Sequence, residues 1–274
     1  MATVLAMSSM VARGHVGLGA ITPVLQLLGH EVIALPTVVL SNHPAHRDVA
    51  RLDVPPSRLE AMLDAIEANG WLGSVDAVLT GYLPTVSHVE FARKLVARVR
   101  ARQPAAIYFC DPVMGDLPRG LYIDDAPAET ISERLIEKAD YLTPNLFELQ
   151  WLSGETVSDL ASAVKAARSL PAPVTLITSV PLSGNQLANV LVTERGAWTC
   201  AGPRLEAVPH GTGDFLAARF AAECLKGRDM PGALGAATAS VSVLVSHSIG
   251  RDELALVPAQ EAWLRAQPTP TTAV

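Results

Sequence analysis

Residues 210–220 read HGTGDFLAARF. Gly211 and Gly213 flank Thr212, Asp214 follows at once, and helix-forming residues run on from there. Two readings compete. The glycines can make a tight turn, with Asp214 as the ordinary N-cap of the next helix. Alternatively, the backbone N–H groups of Gly211, Thr212 and Gly213 point at one spot, where the positive end of the helix adds attraction for a phosphate. A carboxylate beside an anion site repels the ligand that the loop attracts, so Asp214 would need a task there. Taking the proton from a hydroxyl that attacks a γ-phosphate is such a task, because phosphoryl transfer depends on positioning, charge stabilisation and a group that orients the nucleophile.

Phosphoryl transfer also calls for a divalent cation. The segment DPVMGD supplies Asp111 and Asp116, and TPNLFELQ supplies Asn145 and Glu148 at a three-residue spacing, one turn of a helix. Such groups hold magnesium directly or through water. Each has a plainer reading: Asp111, before Pro112, can end a strand, and Asn145 can cap the helix that contains Glu148. Neither GxxxxGK[ST] nor GxGxxG occurs in the chain, which leaves residues 211–213 as the phosphate-binding device.

The elements that must position these groups alternate along the chain. TVLAM (3–7), EVIAL (31–35), DAVLTG (76–81), AIYFCD (106–111), DYLTPN (140–145) and VTLITS (174–179) read as strands, while 58–70, 87–102 and 159–170 recur at helical spacing. That alternation predicts an α/β fold with a mostly parallel central sheet and helices on its faces. LANVLVTERGAWTC (187–200) reads as a hairpin turning at Gly196, which adds antiparallel strands late in the sheet. Ligands of open parallel sheets gather beyond the carboxyl ends of the strands. The rule selects Ser8 and Ser9, Gly81 and Tyr82, Asp111, the run from Thr143 to Glu148, and Thr178 with Ser179. The expectation is one domain over residues 1–266, followed by a frayed Pro/Thr tail at 267–274.

Composition narrows the class of ligand. Of 274 residues 49% are hydrophobic and 18% charged, and the net charge is −6, so the chain is globular and offers no general surface for nucleic acid. Cys110, Cys200 and Cys224 stand too far apart for a zinc site or a disulfide framework. The N-terminus lacks the basic segment of a signal peptide, giving a cytoplasmic expectation. Met230 to Gly250 carries no Asp, Glu, Lys or Arg, but its Gly, Ala, Ser and Thr content suits a buried helix better than a membrane span. The basic cluster Arg93, Lys94, Arg98, Arg100 and Arg102 shares one helix with inward-facing Phe91, Leu95 and Val99 and reads as a solvated face.

Taken in order, SNH (41–43), GYL (81–83), YFCDPVMGD (108–116), TPNLFEL (143–149), ITS (177–179) and GTGD (211–214) resemble the pyridoxal kinases of the ribokinase-like superfamily. The resemblance implies a three-layer ribokinase-like fold, a homodimer, and ATP-dependent phosphorylation of the 5′-hydroxymethyl group of pyridoxal or a related B6 vitamer. It makes Asp214 the base, with the amides of Gly211, Thr212 and Gly213 at the transferring phosphoryl group. Asp111, Asn145 and Glu148 would surround Mg-ATP, with Asp111 and Glu148 on the metal, and a monovalent cation is compatible with the family. Thr143, Thr178 and Ser179 would follow the phosphates, and Asp116 would begin a flap over them. Ser9 would meet the polar edge of the pyridine ring, walled by Val16, Leu40, His43 and Tyr82. The substrate half departs from the pattern: Pro44 follows SNH in place of a threonine, and Arg13 and Leu18 replace a tyrosine and an asparagine. Two alternatives remain at this stage. One is a hydroxymethylpyrimidine or other small-alcohol kinase, although the former resemble GTGC where this chain has GTGD. The other is a B6-binding carrier with little turnover.

Overall fold

Strand residues that alternate between two apolar environments set the architecture. In β1 (Thr3–Val11), Leu5 and Met7 enter one core while Val4 and Ala6 enter another, the two-residue period of a strand covered on both faces. The computed structural model describes residues 1–274. After β1 the chain forms α1 (Leu18–Leu27), β2 (Glu31–Leu40), β3 (Arg51–Asp53), α2 (Pro56–Ala68), β4 (Ala77–Thr80), α3 (Val86–Arg102) and β5 (Ile107–Cys110). A small hairpin, β6 (Gly115–Asp116) and β7 (Gly120–Leu121), is followed by α4 (Asp125–Thr130), β8 (Tyr141–Leu142), α5 (Leu146–Ser153) and α6 (Leu160–Arg168). The last part comprises β9 (Val174–Leu182), β10 (Gln186–Thr193), β11 (Gly196–Pro203), α7 (Thr212–Leu225), α8 (Met230–Ser248), α9 (Gln260–Leu264) and β12 (Thr272–Ala273).

Ten strands form one sheet in the order β12-β11-β10-β9-β8-β5-β4-β1-β2-β3. The central run from β2 to β9 is parallel, and β3, β10, β11 and β12 pair antiparallel at the edges. Because β1 lies between β2 and β4, the chain reverses its direction of travel through the sheet there, opening a crevice at the strand ends. Helices α2, α3, α4, α5 and α6 supply one core, with Leu59, Phe91, Ala128, Leu149 and Ala163. Opposite them, α1, α7, α8 and α9 supply Ile21, Phe215, Leu244 and Trp263. This is the three-layer α/β arrangement expected, including the late hairpin.

The stretch from Met230 is the buried helix α8, whose small residues let it pack closely on α7, and no helix of the structure is long and apolar enough to cross a membrane. The basic cluster of α3 faces carboxylates: Arg98 pairs with Asp64 at 2.7 Å, Arg102 with Glu67 at 3.0 Å and Arg100 with Asp140 at 2.6 Å. Those pairs fasten α3 to α2 and to the start of β8.

The expected frayed tail is corrected. Thr269 N–H donates to the Gly235 carbonyl at 3.0 Å, β12 pairs with β11, and Val274 N–H donates to the Ala197 carbonyl at 3.0 Å. Proline and threonine content predicts fraying only for a segment without a partner. Here β11 would otherwise expose a row of unpaired backbone groups, and the tail satisfies them.

Candidate active site

Helix α7 begins with Gly211 as its N-cap, at φ 105° and ψ −1°. A Cβ at that position would stand 2.0 Å from the His15 carbonyl oxygen, so the tight approach of the residue 12–17 loop admits only glycine. Gly213, by contrast, has no left-handed backbone, and a Cβ there would meet no protein atom within 4 Å. The conformational demand therefore lies at Gly211, and Gly213 keeps a space open.

Asp214 is the third residue of α7, not its cap. Burial raises its carboxyl to about 6, against the opposing pull of hydrogen bonds from the backbone N–H groups of Gly17 and of Asp214 itself. Gly17 in turn lies against Ser9: a Cβ on Gly17 would be 2.4 Å from Ser9 Oγ. The turn after β1 and the first turn of α7 thus form one wall, with Asp214 and Ser9 on either side of Gly17.

Beyond β5 and β8 stand two buried carboxylates. Asp111 is 6% exposed; its Oδ1 accepts a hydrogen bond from Thr143 Oγ1 at 2.9 Å, and its Oδ2 has no partner. Burial, and then the charge of Asp214, push Asp111 up to about 8. Glu148 accepts from the N–H groups of Met114 at 3.0 Å and Asn145 at 2.8 Å, while Asn145 Oδ1 accepts from Glu148 N–H at 3.0 Å. That reciprocal pair is a capping box for α5, so the plain cap reading of Asn145 is correct as geometry. Burial first, and the charge of Asp111 second, raise Glu148 well above the usual carboxylate range. A buried carboxylate oxygen without a partner calls for a proton or a cation. Magnesium accepts one or two carboxylates and completes its shell with waters and substrate phosphates, so Asp111 and Glu148 fit a cation that arrives on a nucleotide.

The same Asn145 reaches the hairpin: its Nδ2 donates to the Gly115 carbonyl at 2.7 Å. Register pairs Gly115 with Leu121 and Asp116 with Gly120. Burial, and then Asp116, push the Tyr122 hydroxyl up, and the Arg119 guanidinium lies 5.3 Å from the centre of the Tyr122 ring. On the next strand, Thr178 bridges Asn145, and its N–H donates to the Pro144 carbonyl at 3.0 Å. Ser179 has φ 62°, an uncommon value for a non-glycine residue, where β9 slips register against β10. Thr143 and Asn145 therefore follow the end of β8 and lie beside Thr178 and Ser179, which sit not at the end of a strand, as expected, but at an irregularity within β9, because β9 runs on past them to pair with β10.

Across the crevice, Val16 and Leu40 pack with Val11 and Val38, and Tyr82 closes on them. Ser8 Oγ accepts from Tyr82 N–H at 3.1 Å and Thr37 Oγ1 donates to the Tyr82 carbonyl at 2.9 Å, fixing that residue's backbone. The His43 ring stacks on His210 with centroids 4.0 Å apart and planes 18° from parallel. Burial, then the charges of His210, Arg119 and His46, hold His43 at about 4. His210 was not selected from the sequence, although it directly precedes the glycine loop; its stacking partner lies 167 positions earlier and becomes apparent only when the loops meet. A solvent-open cavity of about 430 Å³ between the start of α6 and the β9–β10 turn contains none of these residues.

The sequence model of the phosphomethylpyrimidine kinase family matches residues 24–255. The chain is 36% identical to pyridoxal kinase PdxY of Leifsonia xyli, covering 95% of each protein. It is 38% identical to pyridoxal kinase PdxY of Deinococcus radiodurans, covering 96% of this chain and 93% of the relative. This chain belongs to the pyridoxal kinase family. A solved structure of the Leishmania donovani pyridoxal kinase with ADP and pyridoxamine superposes with a TM-score of 0.94 at 30% identity over 100% of both chains. The fold and family inferred from the ordered motifs are thereby borne out.

Proposed function

We propose that this pyridoxal kinase family member transfers the γ-phosphoryl group of ATP to the 5′-hydroxymethyl group of pyridoxal or a related B6 vitamer. The observation that carries the reading is Asp214: a half-buried carboxyl with its pKa raised to about 6, directly after a loop of three backbone amides at a helix N-terminus. At neutral pH it is a carboxylate able to take the alcohol's proton, and its raised pKa makes it a stronger base than a solvated aspartate. The N–H groups of Gly211, Thr212 and Gly213 stabilise charge on the transferring phosphoryl group. Thr143, Asn145, Thr178 and Ser179 line the nucleotide phosphates, and the hairpin that carries Asp116 covers them. A magnesium ion near Asp111 and Glu148 would supply charge neutralisation at the phosphates. Ser9 addresses the ring edge of the acceptor, with Val16, Leu40, His43 and Tyr82 as its walls. A homodimer accompanies this reading, from the family likeness, and a cytoplasmic location is proposed with it.

The assay supplies Mg-ATP and measures phosphorylated product from pyridoxal, pyridoxine and pyridoxamine beside hydroxymethylpyrimidine and a sugar panel. Turnover of a B6 vitamer with the highest kcat/KM supports the proposal; preference for the pyrimidine overturns the acceptor assignment. The match to the phosphomethylpyrimidine kinase family favours that second reading, whereas the aspartate in GTGD speaks against it. Binding of a vitamer with no ATP-dependent product would instead mark a carrier, which has no use for a base of raised pKa beside an amide nest.

A further inference from the structure

Arg13 and Pro44 break the family pattern at the acceptor end, and the structure gives Arg13 a different partner. Its guanidinium faces Glu253 at 3.8 Å and Asp252 at 3.9 Å, and His46 Nε2 lies 3.4 Å from the same Glu253 oxygen. The Glu253 side chain is 18% exposed, and its Oε1 is shut off from solvent without a hydrogen bond. Gly14, at φ 109°, makes the room: a Cβ there would be 2.3 Å from Glu253 Oε2. The neighbouring residue, Leu254, is buried, and its side chain packs on Gly211 of the phosphate loop. His46 N–H donates to the His43 carbonyl at 3.1 Å, so the contact of Glu253 with His46 bears on the backbone that carries His43.

A carboxylate enclosed to this degree costs free energy unless cations face it. One side chain here joins three segments: the turn after β1, the loop after β2, and the stretch after α8 that abuts the phosphate loop. We propose that Glu253 is a positioning residue for the acceptor: by drawing Arg13 and His46 together it holds the His43 loop against His210 and the phosphate loop. This inference rests on the proposed acceptor pocket and deepens it.

The test uses the full chain with Glu253→Gln, which keeps the side-chain volume. The expected result is an acceptor KM raised about fivefold, the upper range for a partly exposed ion pair, with KM for ATP and kcat within twofold. Arg13→Gln should raise the acceptor KM in the same direction, Arg13→Lys should restore it, and the Glu253→Gln/Arg13→Gln pair should fall short of the product of the two single effects. Hydrogen exchange of residues 41–48 should accelerate in Glu253→Gln while that of α3 does not change. If no acceptor turns over, the functional reading has failed, and the exchange result decides the tether by itself. A lowered melting temperature with the acceptor KM unchanged would make Glu253 merely structural and overturn the proposal, as would unchanged exchange at 41–48.

Discussion

The two ends of the crevice are built by different means. The phosphate end consists of backbone amides at the start of α7 and carboxylates buried at the tips of β5 and α5, each fixed by hydrogen bonds to rigid elements. The acceptor end consists of a small apolar cluster, two stacked imidazoles and loop contacts of Glu253 with Arg13 and His46. Catalysis depends on distances held to fractions of an ångström, which strand and helix ends provide. Recognition of a flat heteroaromatic alcohol depends on shape, which loops can supply and alter at small cost to the fold. Arg13 and Pro44 both fall at the acceptor end, in loops outside the sheet and α7.

The largest effect should come from the phosphate end. Asp214→Asn should lower kcat by roughly 10²- to 10⁴-fold, the range for loss of a general base, with little change in either KM. With Asp214 at about 6, kcat/KM of the unaltered protein should fall about tenfold per pH unit below that value and level off above it, because only the carboxylate accepts the proton. An unchanged kcat in the variant would remove Asp214 from the mechanism and erase the contrast between the two ends.

The two glycines of the loop should separate next. Gly211→Ala forces a side chain into the His15 carbonyl at a left-handed backbone position, so it should destabilise the fold by about 1–3 kcal/mol as well as abolish most turnover. Gly213→Ala meets no protein atom, so its melting temperature should stay put while kcat/KM for ATP falls. Equal losses of stability in both would mean that Gly213 is also a folding requirement.

At the acceptor end, Val16→Ala removes two methyl groups from the apolar wall and should raise the acceptor KM about tenfold, the low end of the range for small changes in a hydrophobic pocket, with kcat nearly intact. A fall in kcat with KM unchanged would show that this wall also sets the attack geometry.

The smallest expected effect is on stability. A carboxyl raised to about 8 in the folded chain binds its proton more tightly there than when unfolded. Its contribution is therefore fully present below the unfolded pKa of about 4 and is lost as pH rises through 8. Without nucleotide or magnesium, Asp111→Asn should melt about 3 °C above the unaltered protein at pH 8 and match it near pH 4. Magnesium with ADP should reverse the order at pH 8.

Much of the phosphate end was legible because its signals are local. A Gly-Thr-Gly-Asp run before helix formers, a carboxylate at the end of an apolar strand, and Asn145 three residues before Glu148 each state their geometry within a few residues. The sequence did not settle whether Asn145 caps a helix or serves a ligand; the structure has it capping α5 and gripping the hairpin at Gly115 together. Long-range pairings were not legible. His210 against His43, Arg13 and His46 against Glu253, and the tail against β11 all join segments far apart in the chain. DYLTPN reads as a full strand by composition, yet only Tyr141–Leu142 forms a strand, with a single bridge from Asn145 to Thr178, because the residues after it turn to start α5.

By itself the sequence determined the order of strands and helices, the three-layer class and the chemical types gathered at the strand ends, since apolar periodicity and glycine placement act over a few residues. Only the tertiary structure decided which glycine is indispensable, how far burial raises Asp111 and Asp214, and what Arg13 does in place of the expected tyrosine. Those outcomes depend on desolvation and on contacts between distant segments, and such quantities exist only once the sheet has brought its loops together.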